Sequence, residues 1–152
     1  MADPRSTIEE RVGEAARAAR ADVVALLADL VACDTTARGV DEPARDEEKL
    51  QRILAGRLEA LGAETDLWEP EPTGEGNRHL PDHLDFKGRP QLAAHLRGAG
   101  DGRSLLLNGH IDAVSTEPKE LWTSDPFSLA ERDGRLYGRG SADMKGGLAS
   151  ML

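Results

Sequence analysis

A short apolar run that ends on a polar turn is the feature that most restricts how this chain can fold. Residues 104–107 read Ser-Leu-Leu-Leu, and a continuous apolar run of this kind is typical of a strand covered on both faces. His110 and Asp112 follow shortly after it. Because residues two apart in an extended chain point to the same side, these side chains are expected to emerge together at the carboxyl end of the strand. Open α/β sheets place their ligands at that end.

The pairing of an imidazole with a carboxylate has two interpretations. A carboxylate can hydrogen-bond one ring nitrogen and leave the other free to bind a metal, an arrangement common beside zinc. His110 and Asp112 fit that pattern. The alternative is an ordinary polar turn after a strand, and these two residues alone do not decide between the interpretations.

Two helical segments precede the apolar run. Apolar side chains recur at intervals of three and four over residues 8–32, which predicts an amphipathic helix. Turn-forming residues at 34–39 end it, and Pro43 suits the start of a second helix. Gly62 stands where a left-handed residue would close that second helix. The apolar stripe of the second helix consists of Leu50, Ile53, Leu54, Leu58 and Leu61.

After the helices the pattern changes to that of strands. Residues 64–68 and 91–97 are predicted strands, the second because apolar and polar side chains alternate along it. The long polar connection 69–90 is rich in proline and glycine and is predicted to be a surface loop. Two helices, then mixed sheet strands, then the start of a helix at 148–152 predict an α/β fold.

The charge balance and the single cysteine exclude several kinds of protein. With 19 basic and 28 acidic residues the net charge is −9, which argues against a nucleic-acid partner and against a polybasic membrane anchor. Cys33 has no partner for an intrachain disulfide and lies in an apolar run, so a packed thiol is expected. Residues 1–5 lack the basic-then-apolar order of a signal peptide, so the cytoplasm is the expected location.

A glycine-rich stretch over residues 137–147 encloses Asp143. Its spacing excludes a P-loop, because Lys145 precedes Gly146 where that motif needs glycine before lysine. It also excludes a dinucleotide fingerprint, because Asp143 occupies the place of the third glycine. Two interpretations remain, a hinge loop with a solvated carboxylate or a carboxylate that glycine backbone brings close to a site.

Four consecutive segments resemble the motifs of one enzyme family. They are residues 105–114, 122–127, 133–140 and 141–147, and they occur in the family's order. The family is that of acetylornithine deacetylase, succinyl-diaminopimelate desuccinylase, aminoacylase and glutamate carboxypeptidase, which are two-zinc amide hydrolases and metallopeptidases. The resemblance is strongest from residue 88 to residue 152, and it implies the N-terminal part of a zinc-exopeptidase-like catalytic domain.

The resemblance implies roles for three side chains. His110 looks like a metal ligand, Asp143 like the carboxylate that bridges two metals, and Asp112 like the catalytic residue that orients the His110 ring. It also implies a cis peptide bond between Asp143 and Met144. The implied cofactor is two Zn²⁺ per complete active site, with Co²⁺ as a substitute. The implied substrate is an N-acyl amino acid or a small peptide, and the implied complete enzyme is a homodimer.

The sequence departs from the family pattern because it ends soon after Asp143. In the family the general-base Glu, the adjacent Glu ligand and further acidic and His ligands lie farther along the chain. Residues 1–152 are therefore expected to be the N-terminal portion of the catalytic domain, without its C-terminal half or the smaller dimerisation domain. Such a chain is expected to bind metal weakly and to be inactive alone. Several other acidic and histidine side chains match no family motif: Glu9, Glu10, Glu47, Glu48, His79, His83 and His95.

Two hypotheses of different classes follow from these residues. In the first, the complete product hydrolyses amides, since two metals that share a carboxylate can acidify water and stabilise the oxyanion while a carboxylate base moves the proton. In the second, the chain is a non-catalytic remnant that acts as a binding or interaction module, with His110 and Asp143 inherited but idle. The sequence does not indicate which amide the first hypothesis would use.

Overall fold

The computed structural model describes residues 4–37, 42–71 and 86–152. The fold is α/β, as predicted, with two separate pairs of antiparallel strands between the early helices and a last short helix. The helices are α1 (Pro4–Ala18), α2 (Arg20–Val31), α3 (Glu47–Ala60) and α4 (Gly146–Met151). The strands are β1 (Glu64–Trp68), β2 (Gln91–His95), β3 (Ala130–Arg132) and β4 (Arg135–Tyr137). Irregular helical turns lie at Lys119–Leu121 and Ser141–Lys145.

The predicted helix over residues 8–32 is divided in two at Ala19, so the prediction of a single helix is wrong. Ala19 (φ −75°, ψ −5°) departs from the ψ of an α-helix, although its N–H still donates to Ala15 O at 2.9 Å. No glycine or proline occurs at Ala19 or next to it. The sequence therefore contains no helix-breaking residue that would predict the division.

The second helix begins at Glu47, later than the Pro43 start that was expected. The delay has a long-range cause, because Asp34 N–H donates to Asp46 Oδ2 at 2.9 Å and Asp46 N–H donates to Asp34 O at 3.2 Å. These two hydrogen bonds tie the residue before α3 to the segment after α2. Gly62 closes the helix with φ +87°, as predicted.

The strand predicted at 64–68 matches β1, and the strand predicted at 91–97 is confirmed as β2, which ends at His95. The two strands pair in antiparallel register from Glu64 opposite His95 to Trp68 opposite Gln91. β3 and β4 form a separate hairpin. Much of the predicted surface loop, including His79 and His83, lies outside the described residues.

The prediction of a covered strand at 104–107 is wrong. These residues form no strand, and Leu105 and Leu106 are 81% and 89% exposed. A strand covered on both faces needs strands at its edges and packed layers above and below it. The described part of the chain provides neither of these beside residues 104–107.

The core lies where α2, α3 and α4 meet. α2 packs against both other helices, and Cys33 is buried just after its end, as the packed-thiol prediction requires. Burial raises the pKa of the Cys33 thiol above its usual value. None of the described helices is long and apolar enough to cross a membrane. The buried apolar residues are Leu26, Leu27, Leu30, Val31, Cys33, Leu50, Leu54, Leu148 and Ala149.

Candidate metal centre

His110 stands between two carboxylates. Its Nδ1 lies 3.0 Å from Asp112 Oδ1, and its Nε2 lies 2.9 Å from Asp143 Oδ1. The structure therefore brings all three sequence-predicted site residues together, although Asp143 is distant from the other two in sequence. The side chains are open to solvent, with 47% of His110 and 86% of Asp143 exposed.

The loop that carries His110 packs tightly against the segment that carries Asp143. His110 N–H donates to Met144 Sδ at 3.4 Å. A Cβ on Gly109 would lie 2.7 Å from Leu148 Cδ2 and 3.0 Å from Met144 Cε, so this close approach depends on glycine. The close approach therefore explains why a glycine precedes the histidine.

Asp143 lies in an irregular turn and not in regular helix. The peptide bond between Asp143 and Met144 is cis, as the resemblance implies. Gly140, at the start of the turn, has φ +76°, a left-handed conformation that favours glycine. Asp143 itself has φ −135° and ψ 100°, which takes its carboxylate out of the helical path of the neighbouring residues.

The two carboxylates change the electrostatics of the histidine. The slight burial of His110 acts to lower its pKa, but the hydrogen bond to Asp143 and the charge of Asp112 outweigh it and raise the pKa above its usual value. A ring held in this way has one nitrogen oriented by Asp112 and the other facing Asp143. This is the geometry in which one carboxylate fixes the ring and the second ring nitrogen can serve as a ligand.

The donor types fit a zinc ion, but the described residues supply few of them. An imidazole nitrogen and a carboxylate oxygen are both ordinary Zn²⁺ ligands, and here they are 2.9 Å apart. Within residues 4–37, 42–71 and 86–152, no group of three or more His, Cys, Asp or Glu side chains could hold a metal ion. The described residues thus bring two donors of this kind together at one place.

The unassigned acidic residues do not approach the pair. Glu47 accepts a hydrogen bond from the backbone N–H of Arg45, and Glu48 forms an ion pair with Arg52 one turn along α3. His95 is exposed at the end of β2. These positions agree with the sequence analysis, which assigned none of Glu47, Glu48 and His95 to the site.

Two residues beneath the pair were not singled out from the sequence. Thr35 donates a hydrogen bond to the carbonyl of Ile111, and the buried Lys145 donates one to the carbonyl of Cys33. A fully buried lysine is rare and would have marked Lys145 as unusual. The sequence does not show this burial, so it gave no signal for Lys145. Thr35 had no distinguishing signal beyond its place in a turn.

Comparison with known proteins gives a match over the segment that holds the pair. The profile described as "Peptidase family M20/M25/M40" matches residues 106–152. Residues 106–152 belong to peptidase family M20/M25/M40. His110, Asp112 and Asp143 all lie inside this M20/M25/M40 segment.

Curated relatives extend the similarity over most of the chain. An N-formyl-4-amino-5-aminomethyl-2-methylpyrimidine deformylase of Bacillus subtilis is 38% identical over 112 residues, which are 72% of this chain and 23% of that protein. A succinyl-diaminopimelate desuccinylase of Leptothrix cholodnii is 43% identical over 107 residues, 70% of this chain and 25% of that protein. The chain thus spans about a quarter of the length of these relatives.

A solved structure shares the fold. The crystal structure of human carnosine dipeptidase 1 superimposes with a TM-score of 0.64 over 92% of this chain and 28% of that chain, at 22% identity. The α/β arrangement of this chain is therefore part of a known fold.

Proposed function

We propose that this chain supplies metal-binding elements of a two-zinc amide hydrolase. In this proposal His110 and Asp143 would be the residues that hold metal, with Asp143 shared between two ions, and Asp112 would orient the His110 ring. The observation that carries the proposal is the 2.9 Å contact of His110 Nε2 with Asp143 Oδ1, with Asp112 on the opposite ring nitrogen. The M20/M25/M40 match and the deformylase and desuccinylase relatives support the reaction class.

Each of the three side chains has a distinct task in this proposal. Asp112 accepts a hydrogen bond from Nδ1–H, which keeps the ring oriented and leaves the Nε2 lone pair available as a ligand. Asp143 adds carboxylate oxygens to the same place. Bound zinc supplies an acidified water and an electrophile for the amide oxygen.

The remaining parts of the enzyme are proposed to come from outside residues 1–152. These residues would be the N-terminal portion of the catalytic domain, and the general base, the other ligands and a smaller dimerisation domain would belong to the complete protein. An N-acyl amino acid or a small peptide is the proposed substrate class, with Co²⁺ able to replace Zn²⁺. Because a catalytic zinc usually has three protein ligands, this chain alone is expected to bind metal weakly and to hydrolyse nothing.

Zinc titration against a chromophoric chelator tests this proposal. We expect one weak site in the 152-residue chain, lost in His110→Ala and Asp143→Ala. Asp112→Asn should weaken binding by about 10-fold or more, the usual effect of losing a residue that orients a histidine ligand. His95→Ala, which removes an exposed histidine on β2, is the matched control and should leave the affinity unchanged.

Two results would contradict the proposal. One is a zinc affinity that is the same in His110→Ala as in the parent chain. The other is two tightly held zinc ions per chain after dialysis, because the described residues offer too few donors for that.

A further inference from the structure

The segment that follows α2 lies directly beneath the candidate metal centre. We call Cys33–Ala37 the α2 connector. Cys33, Thr35 and Thr36 are all buried, which is unusual for chain that connects two helices. Buried backbone of this kind must find hydrogen-bond partners, and several of them belong to the segments that carry His110 and Asp143.

The α2 connector holds the His110 loop on both sides of Asp112. The Thr35 hydroxyl donates to Ile111 O at 2.6 Å, and Ala113 N–H donates to Thr35 O at 3.0 Å. Ala37 N–H then donates to Ala113 O at 2.7 Å, which completes a short parallel bridge. The residues before and after Asp112 are therefore fixed to one segment.

The same α2 connector holds the Asp143 segment through Lys145. This lysine is 1% exposed, and its Nζ donates to Cys33 O at 2.7 Å. Its backbone N–H donates to Gly140 O at 2.9 Å, which closes the turn that contains Asp143. Burial lowers the pKa of Lys145 below its usual value, so holding this group in the interior has an energetic cost. A carbonyl just beyond the C-terminal end of α2 is a favourable place for such a cation.

The α2 connector is itself fixed by a polar network on its other side. Asp34 Oδ1 accepts hydrogen bonds from Thr36 N at 3.0 Å and from Thr36 Oγ1 at 2.7 Å. Arg45 contacts both Asp34 and Thr36. A segment bonded on both sides can act as a rigid reference for the loops that rest on it.

We propose that Thr35 and Lys145 are positioning residues that set the distance between His110 and Asp143 through the α2 connector. Thr35 fixes the His110 loop and Lys145 fixes the Asp143 turn. Neither side chain forms a hydrogen bond with the side chain of His110 or Asp143. The effect of these two residues on zinc binding rests on the proposed function. Their effect on the distance between His110 and Asp143 does not, because it can be measured without metal. The His110 loop needs such support because it follows exposed chain that no strand among the described residues pairs with.

The first test compares Thr35→Val with Thr35→Ser and with Thr116→Val in the full 152-residue chain. Valine keeps the shape of Thr35 but leaves the Ile111 carbonyl without its donor, whereas serine keeps the hydroxyl. Thr116 is also buried, and its hydroxyl is not used to hold the His110 loop, so it is a matched control. The readouts are the imidazole ¹⁵N shifts of His110 without metal and the zinc affinity.

We expect Thr35→Val to move the His110 shifts toward those of a free histidine and to weaken zinc binding by about 2- to 10-fold, the range of one hydrogen bond. Thr35→Ser should restore both readouts, and Thr116→Val should match the parent. Unchanged shifts and affinity in Thr35→Val, or an equal change in Thr116→Val, would overturn the role of Thr35.

The second test replaces Lys145 with methionine, which fills a similar volume without the charge. Lys119→Met, at an exposed lysine, is the control. A positioning role predicts weaker zinc binding and altered His110 shifts in Lys145→Met. This holds even where the folding stability of the variant equals or exceeds that of the parent because a buried charge has been removed. A residue that only fills the core would change stability and leave both readouts at the parent values, which would overturn the proposal.

The metal-free shifts keep the two proposals separate. Suppose that the parent chain binds no zinc at His110 but Thr35→Val still changes the metal-free imidazole shifts of His110. The proposed metal centre is then rejected and the positioning role stands. If the parent binds zinc and both Thr35→Val and Lys145→Met bind it equally well with unchanged shifts, the positioning role fails and the metal centre stands.

Discussion

At the scale of single residues, the approach of His110 to Asp143 depends on close backbone contacts that larger side chains would prevent. Gly146 begins α4, and a Cβ there would lie 2.5 Å from the backbone oxygen of Ser141. That oxygen cannot move aside as a side-chain tip can, so the contact must be relieved by shifting the turn that holds Asp143. The sequence showed a glycine-rich stretch but could not show which glycine was under this constraint.

We therefore expect Gly146→Ala to destabilise the fold by about 1–3 kcal/mol, as overpacking in a tight contact does. Gly56 is the control, because it lies in α3 and a Cβ added there would meet no atom within 4 Å. Gly56→Ala should stabilise the fold by about 0.5–1 kcal/mol through the unfolded state and helix propensity. Urea unfolding measures both, and equal effects of the two substitutions would contradict the contact argument.

Asp34 gives the α2 connector a dependence on pH. Its partial burial acts to raise its pKa, but hydrogen bonds from Arg45 and Thr36 outweigh that and hold the pKa below its usual value. A carboxylate with a lowered folded-state pKa stabilises the fold above its unfolded pKa of about 3.9, and this contribution is lost as pH falls through the folded value.

Asp34→Asn should therefore lower the free energy of unfolding at neutral pH, and the difference from the parent should shrink as pH falls below about 4. Asp101→Asn, at an exposed turn, is the control and should show little difference at either pH. Chemical unfolding at the two pH values measures this. A difference for Asp34→Asn that stays constant with pH would contradict the linkage.

At the scale of elements, the sequence pattern predicted those strands and helix ends that depend on residues close to them in sequence. β1, β2 and the left-handed Gly62 follow from alternation and turn chemistry that each segment carries in itself. The start of α3 could not be predicted in that way, because it depends on hydrogen bonds between Asp34 and Asp46 across the turn. The run at 104–107 was mistaken for a strand because strand formation needs partners that the described residues do not provide.

The candidate site shows the same division. His110, Asp112 and Asp143 were found from short motifs and a family resemblance, and the structure brings them together. Thr35 was not found, because its importance comes from a hydrogen bond to Ile111 that is remote in sequence. A sequence pattern can mark the residues that carry chemistry more readily than those that hold them in place.

α1 is predicted to be the least stable helix. Two members of its apolar stripe, Ile8 and Val12, are 59% and 63% exposed, whereas α2 buries its stripe in the core. Local opening follows the amount of buried apolar contact, so α1 amides should exchange with solvent much faster than those of α2. Hydrogen exchange followed by mass spectrometry measures this, and equal protection of both helices would contradict the link between exposure of the stripe and local opening.

At the scale of the whole molecule, exposed apolar chain is the most evident physical hazard. Leu105 and Leu106 are 81% and 89% exposed and are adjacent in sequence. Exposed runs of this kind promote association between molecules, although the net charge of −9 opposes it at low salt.

We expect the chain to associate with rising concentration, more strongly at high salt, and Leu106→Glu to reduce this. Sedimentation velocity over a concentration series measures it. Glu120→Gln is the control, because it changes an exposed charge elsewhere and should have little effect. A buried position such as Leu26 would not serve, because a charge there would disturb the core. A parent chain that stays monomeric at every concentration and salt level would contradict the expectation.

For the whole molecule, we propose that His110 and Asp143 form part of a zinc centre. The most direct measurement is a zinc titration followed by imidazole ¹⁵N NMR, in which each of the four histidines is assigned. We expect zinc to change the Nε2 signal of His110 while Nδ1 stays protonated against Asp112, and we expect Asp143→Asn to abolish the change. Zinc-induced shifts at His79, His83 or His95 with none at His110 would contradict it.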